Sequence, residues 1–193
     1  MKKKLTLIFV LAIATVTSYS QPFAKNNHLA SLQIGFGGNI YNDYNYHMLI
    51  PPMGLQYEVI ITDKIGIGNI GIGGYGLFSA RIYDYNNAYY TNTRYHITVG
   101  ARGYYHFALA DFMDDPVFNK VDAYGGLMLG MTSRIEVETG DLGYGVRTPN
   151  KLYPVFDLFL GGRYYFTDNL AVMAEMGFNI SYLSAGITYR IQQ

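Results

Sequence analysis

The 193-residue chain contains no cysteine and no tryptophan, and only 15% of its residues are charged. Without cysteine there is no disulfide framework, no thiolate chemistry and no lipid-modified N-terminal cysteine. Its 14 basic and 14 acidic residues cancel, which argues against a nucleic-acid partner. Beyond the N-terminal segment, no unbroken apolar run approaches the ~20 residues that a membrane-spanning helix needs. If the mature chain lies in a membrane, we expect that it does so without helices.

The N-terminus has the pattern of an export signal. Lys2, Lys3 and Lys4 precede an apolar run over residues 5–16, and small residues follow at Ser18 and Ser20. This order predicts a secretory signal peptide at residues 1–20. The apolar run is shorter than the ~20 residues that a membrane anchor requires. We expect residues 21–193 to form one domain.

Glycine and tyrosine are abundant where other residue types are scarce. The chain has 22 glycines, 20 tyrosines and 11 phenylalanines. Such a composition suits tightly curved strands with aromatic side chains at membrane interfaces. It also argues against disorder.

The last two segments, residues 170–180 and 183–191, show the clearest alternation of apolar with polar or small residues. Because successive side chains of a strand point to opposite faces, each segment has one apolar face and one polar face. The polar faces carry Glu175 and Arg190 beside small residues, which is typical of a membrane barrel with lipid outside and a polar interior. The residues expected on the apolar faces are Leu170, Val172, Ala174, Met176, Phe178, Ile180, Leu183, Ala185, Ile187, Tyr189 and Ile191.

The same alternation predicts eight strands in all. They lie at about residues 28–40, 53–62, 65–82, 93–107, 121–132, 153–166, 170–178 and 183–191. The third strand needs a bulge near Gly68 and Asn69 to keep its phase. Long polar loops follow strands one, three and five, the longest at 133–152, whereas tight turns follow strands two and six. Long loops at one end and short turns at the other fit outer-surface loops and periplasmic turns.

Charged residues fall on the predicted inner faces. Glu58, Asp157 and Glu175 are balanced there by Arg102, Arg163 and Arg190. Strand pairing around Asp168 predicts that Arg163 and Glu175 are near-diagonal neighbours. This set forms either a gated pore or binding site, or a salt-bridged core. The core is favoured because an eight-stranded barrel has room for little more than its own side chains, which also argues against a general diffusion porin.

The histidines offer little chemistry. They are His28, His47, His96 and His106. His96 and His106 both face inward but lie ~33 Å apart along one strand, so they cannot share a metal. His47, with Ser79 or Ser133 and a loop carboxylate, could form a lipid-hydrolysing triad, but no local motif marks a nucleophile.

Two further patterns have ordinary explanations. The run GIGNIGIGG at residues 66–74 is not followed by the helix that a phosphate-binding loop requires, so curvature glycines are expected. The acids Asp111, Asp114 and Asp115 match no calcium loop. We therefore predict no catalytic, cofactor-binding or metal-binding residues.

Two hairpins resemble a known family. YYFTDNLAVMAEMGF (164–178) and YEVIITDKIGIG (57–68) are similar to hairpins of the small OmpA/OmpX-like outer-membrane β-barrels. The resemblance implies an all-β, eight-stranded, antiparallel up-and-down transmembrane barrel. It also implies a bacterial outer-membrane location, with outer-membrane lipids and the barrel-assembly machinery as partners. Members commonly end in an aromatic assembly signal, a role that Tyr189 would take here.

We expect a non-enzymatic envelope or surface-interaction protein, with a possible surface partner held by tyrosine-rich loops. Two alternatives remain open. An outer-membrane lipid-modifying enzyme, of the lipid A deacylase or acyltransferase type, requires a loop histidine close to a serine. A soluble periplasmic lipocalin-like barrel requires the reverse packing, with Leu158, Leu160, Val172 and Met176 inside.

Overall fold

The strands close into a single antiparallel barrel. The computed structural model describes residues 25–38, 45–85, 90–140 and 147–191. Each strand pairs with the next and β8 pairs with β1, which confirms the predicted eight-stranded barrel. The strands are β1 (His28–Phe36), β2 (His47–Ile60), β3 (Gly68–Tyr85), β4 (Tyr90–Phe107), β5 (Val121–Gly140), β6 (Arg147–Tyr165), β7 (Leu170–Gly177) and β8 (Leu183–Ile191). The predicted signal peptide at residues 1–20 lies outside the described residues.

Only short helical turns accompany the strands in the described residues. Between β4 and β5 lie two 3-10 helices, Leu109–Asp111 and Pro116–Lys120. Within the described ranges, no helix combines the length and apolarity needed to cross a membrane. We call the end of the barrel that carries this connection and the β2–β3 and β6–β7 turns the lower end, and the opposite end the upper end.

The barrel turns its apolar side chains outward. In the middle of β8, Ile187 is 52% exposed and packs beside Leu32 of β1 and Val172 of β7 on the outer face. Leu158, Leu160 and Met176 also face outward, which is the reverse of a lipocalin-like barrel and rules out that alternative. An apolar exterior around a polar interior is the arrangement of a barrel whose solvent is lipid.

Aromatic side chains lie at both edges of this apolar surface. Those near the lower end are Tyr57, Tyr105, Tyr164 and Tyr189, and those near the upper end are Phe36, Phe78, Phe156, Phe178 and Tyr182. Aromatic girdles of this kind mark the two interfaces of a membrane barrel. The surface between them is the segment that spans the bilayer.

The wall of the barrel is much taller on one side than on the other. β1, β7 and β8 have 9, 8 and 9 residues, close to the ~9–11 that a tilted spanning strand needs. β3 to β6 have 18, 18, 20 and 19 residues. About ten residues of these strands therefore rise beyond the bilayer, roughly 30 Å along the strand. We call this part the upper wall: residues 79–85, 90–98, 131–140 and 147–155.

The upper wall corrects the predicted loop at 133–152. β5 continues to Gly140 and β6 begins at Arg147, so most of that segment is strand. The segment is rich in charged residues such as Arg134 and Glu136, which favoured a loop. The alternation of Ile135 and Val137 with these charges is the signal that marks the strand.

Other boundaries also differ from expectation. β2 runs through Pro51 and Pro52, where register shifts accommodate the prolines. β3 begins at Gly68, so no bulge is needed there; Ile65 and Ile67 belong to the preceding turn. Ile180, expected on the outer face, is only 1% exposed. Its strand has ended at Gly177, so the alternation no longer applies.

We expect an outward cation to destabilise the barrel only where the wall contacts lipid. Ile187→Arg, in the middle of β8, should lower the free energy of unfolding in phospholipid vesicles by about 2–4 kcal/mol, the cost of arginine at the bilayer midplane. Leu152→Arg is the matched control, because Leu152 is 65% exposed on the outer face of the upper wall. Urea titrations followed by tyrosine fluorescence measure the free energy of unfolding of both variants. If both variants lose the same amount of unfolding free energy, the assignment of the bilayer-spanning segment is wrong.

Candidate functional site

Near the lower end, four buried side chains form a closed ring inside the barrel. They come from four strands: Glu58 of β2, His106 of β4, Asp122 of β5 and Arg163 of β6. Arg163 donates to Glu58 Oε2 and to Asp122 Oδ2, both at 2.8 Å. The ring of His106 joins the same two acids, with Nδ1 at 2.9 Å from Asp122 Oδ1 and Nε2 bonded to Glu58. Each acid thus lies between a guanidinium and an imidazole.

A second ion pair crosses the lumen closer to the upper end. Arg102 of β4 donates two hydrogen bonds to the carboxylate of Glu175 on β7, at 2.9 and 3.0 Å. Gln56 Oε1 accepts from Arg102 at 2.8 Å and from the Tyr104 hydroxyl at 3.0 Å. The Tyr124 hydroxyl donates to Glu175 at 3.2 Å. Bidentate geometry of this kind is the strong form of the arginine–carboxylate interaction.

Aromatic rings enclose these cations. The Arg102 guanidinium carbon lies 4.1 Å from the ring centroids of both Tyr75 and Phe159. Arg163 lies 4.2 Å from the ring of Tyr124. Arginine stacks on aromatic faces in this way because its planar cation is weakly hydrated.

The turn between β7 and β8 folds into the upper mouth of the spanning segment. The backbone amides of Phe178 and Asn179 donate to Asp157 Oδ1 at 3.0 and 2.7 Å. This anchor places Ile180 in the interior apolar cluster. The other members of that cluster are Tyr75, Leu77, Tyr104, Tyr124, Met128, Val155 and Phe159. The turn therefore contributes an apolar side chain to the lumen, in the same cluster as the rings of Tyr75 and Phe159 that contact Arg102.

All six predicted inner charges are buried. Arg163 and Glu175 are diagonal neighbours across β6 and β7, as predicted, but they do not bond to each other. Arg163 bonds to Glu58 and Asp122 rather than to Glu175, whose partner is Arg102. Position along one hairpin does not determine the bonding partner, because in a narrow barrel long side chains also reach across the lumen to the opposite wall. Asp122 was missed, although its inward parity and its register position opposite Arg163 mark it as a partner.

On the upper wall, cations lie opposite one another on the inner face. Arg81 of β3 is the register partner of Arg94 on β4, and Arg134 of β5 is the partner of Lys151 on β6. Like charges directly opposite on a sheet destabilise it. Glu136 offsets part of this repulsion, since its Oε1 lies 3.3 Å from Arg94 Nε and 3.0 Å from Arg134 Nε.

Two tyrosines cover one part of this cationic surface. Tyr46 lies over Arg94, with its ring centroid 4.1 Å from the guanidinium carbon. The rings of Tyr46 and Tyr83 are 5.4 Å apart. We call Arg81, Arg94, Arg134, Lys151, Glu136, Tyr46 and Tyr83 together the upper basic face. Guanidinium groups can hold sulfate, phosphate or carboxylate through paired hydrogen bonds, and tyrosines add a broad amphipathic surface.

The residues of the candidate lipid-hydrolysing triad are not brought together. Ser79 is buried on the inner face, opposite His96. His47 is the register partner of Ile82 and shares its outward face, and Ser133 faces outward beside Ile97. The sheet itself thus separates His47 from Ser79.

The described residues contain no group of three or more His, Cys, Asp or Glu side chains that could hold a metal ion. His96 and His106 face inward on β4, as the alternation predicts. Asp111 pairs with Lys64, and Asp115 accepts from the amide of Val117 at 2.9 Å. These acids therefore serve local structure. Most of the glycine-rich run at 66–74 lies in β3.

Comparisons with known proteins bear on the fold. No family model and no curated protein sequence matches the chain. Among solved structures, the barrel is similar to Ail, the attachment invasion locus protein of Yersinia pestis, in complex with the heparin analogue sucrose octasulfate. That match has a TM-score of 0.50 and 10% identity, and covers 87% of this chain and 100% of Ail. The N-terminal β-barrel domain of Pseudomonas aeruginosa OprF matches with a TM-score of 0.45 and 10% identity, over 86% and 98% of the two chains.

The chain thus has the fold of the small bacterial outer-membrane β-barrels, as its two hairpins predict.

We expect the cross-lumen pair to stabilise the barrel only while both partners are present. Arg102→Met or Glu175→Leu alone should cost about 3–5 kcal/mol of unfolding free energy, because each leaves a buried charge without its partner. The double variant should be more stable than either single variant. Lys25→Met, at the exposed pair with Asp63, is the control and should cost at most about 1 kcal/mol. If the double variant loses as much unfolding free energy as the two single variants together, the interaction between Arg102 and Glu175 is contradicted.

Proposed function

We propose that this chain is an integral, non-enzymatic protein of the bacterial outer membrane that binds anionic sugar-bearing molecules outside the cell through its upper basic face. The observation that carries the proposal is the pairing of like charges, Arg81 with Arg94 and Arg134 with Lys151, on one face of the upper wall. A bound anion would relieve this repulsion between like charges.

The location follows from the fold and from the apolar exterior. We assign the lower end to the periplasm, because its β2–β3 and β6–β7 turns are short, and the upper wall to the cell exterior. In this orientation the partners of the spanning segment are the outer-membrane lipids. Export through the signal peptide at 1–20 and insertion by the barrel-assembly machinery, with Tyr189 as the terminal signal, belong to the same proposal.

The interior supports a structural role for the barrel rather than transport. Two sets of ion pairs cross the lumen, and the β7–β8 turn lies above them. The spanning segment then serves as a rigid base that carries the upper wall. The triad built on His47 does not support a lipid-modifying activity, since Ser79 faces the lumen while His47 faces outward.

The chemistry of the ligand follows from the side chains of the upper basic face. Arginine forks match sulfate, phosphate and carboxylate groups. The neighbouring Tyr46 and Tyr83 offer rings against which a sugar can pack. The structurally similar Ail was solved with a sulfated sugar, which makes a sulfated oligosaccharide a suitable first probe.

We expect the refolded protein in detergent micelles to bind a heparin-derived oligosaccharide in a calorimetric titration, with affinity that falls as salt is added. The double variant Arg134→Gln/Lys151→Gln should bind roughly tenfold more weakly or worse, because a hydrogen bond to a charged group contributes about 1.5–3 kcal/mol.

The matched control removes two positive charges at the lower end. Lys25→Gln/Lys64→Gln changes the net charge by the same amount and should leave the affinity unchanged. Equal weakening in both double variants would mean that only net charge matters. That result, or failure of the unaltered protein to bind, would contradict a site on the upper basic face.

A further inference from the structure

The connection between β4 and β5 is unlike the other turns at the lower end. Residues 108–120 form two 3-10 helices, and neither buries a single residue. Its large apolar side chains are instead exposed: Phe112 by 62%, Val117 by 51% and Met113 by 43%. By contrast, the β6–β7 turn at 166–169 is short and mostly polar.

The neighbouring β2–β3 turn adds to the same exposed apolar surface. Ile65 and Ile67 are 52% and 48% exposed. The two segments are joined, because the amide of Ala108 donates to the carbonyl of Ile67 at 2.9 Å and Lys64 forms an ion pair with Asp111. We call the set Ile65, Ile67, Phe112, Met113 and Val117 the apolar foot.

The apolar foot continues the lipid-facing surface of the barrel. The hydroxyl of Tyr105, an outward residue of the lower aromatic girdle, donates to the carbonyl of Ile65 at 2.9 Å. The rings of Tyr105 and Phe107 meet edge to face with centroids 5.2 Å apart. The β2–β3 turn thus lies against the outside of the barrel wall at the bilayer interface rather than beneath the lumen.

We propose that the apolar foot inserts into the periplasmic leaflet of the outer membrane and that its occupant is lipid. Exposed apolar side chains that continue a lipid-facing surface are best solvated by acyl chains. The acids of the connection, Asp114 and Asp115, then remain at the level of the headgroups or in water. The foot would fix the height and rotation of the barrel beneath its tall side, since it lies at the β3–β5 sector that also carries the upper wall.

The absence of tryptophan makes the test direct. Phe112→Trp and Val117→Trp each introduce the sole tryptophan into the full chain, refolded into phosphatidylethanolamine/phosphatidylglycerol vesicles. We expect blue-shifted emission, quenching by lipids brominated near the headgroup end of the acyl chain, and weak quenching by aqueous iodide. Using two positions keeps the test informative if one variant fails to fold.

Two control variants separate this inference from the proposed function. Ile187→Trp should be quenched most by lipids brominated deep in the chain, and Leu152→Trp by iodide. Suppose that the tryptophan of Ile187→Trp is quenched by deeply brominated lipids, whereas those of Phe112→Trp and Val117→Trp are quenched by iodide, like that of Leu152→Trp. The apolar foot then lies in water and this inference is overturned. If Ile187→Trp is itself quenched by iodide, the barrel does not span the bilayer, and the proposed function fails with it.

Discussion

The structure depends on one constraint: hydrocarbon offers no hydrogen-bond partner to a backbone amide or carbonyl. A closed sheet satisfies this constraint, because β8 pairs with β1 and the spanning segment has no strand edge with unpaired backbone groups. Closure in turn determines where each side chain goes. Alternate residues face either lipid or a narrow lumen, and the chain fills these two environments with apolar and polar residues respectively.

The lumen then imposes a second requirement. A charge that leaves water for a buried site is costly unless a partner with good geometry meets it there. Arg102 meets Glu175, and Arg163 meets both Glu58 and Asp122. Arg102–Glu175 and Arg163–Glu58 cross the lumen, whereas Arg163–Asp122 joins the neighbouring strands β5 and β6. The groups that make the interior polar therefore also hold its walls together. Aromatic rings such as Tyr75 and Tyr124 fill the space around the guanidinium groups.

The fold could be predicted from the sequence because, along a strand in lipid, apolar and polar residues must alternate strictly. β8 was predicted at its observed bounds, where Ile187 and Arg190 occupy opposite faces. The prediction failed above the bilayer, where the charged residues Arg134 and Glu136 were interpreted as part of a loop although Ile135 alternates with them along β5. Sequence reasoning also failed for contacts that form only because the sheet curves into a closed barrel. The pairing of Arg163 with Glu58 crosses the lumen, and Ile180 enters the interior from a turn, and neither relation follows from spacing along the chain.

The asymmetry of the barrel connects its parts. Short β1, β7 and β8 do little more than span the bilayer, whereas β3 to β6 carry the upper wall, and the apolar foot lies below the same sector. The most direct test of the inside-out arrangement is a nuclear Overhauser measurement between side-chain methyl groups and acyl chains in lipid nanodiscs. An apolar exterior predicts contacts from lipid methylenes to Leu160, Val172 and Ile187, and none to the inward-facing Leu29 or Met128. Acyl-chain contacts at Leu29 and Met128, with water contacts at Ile187, would contradict it.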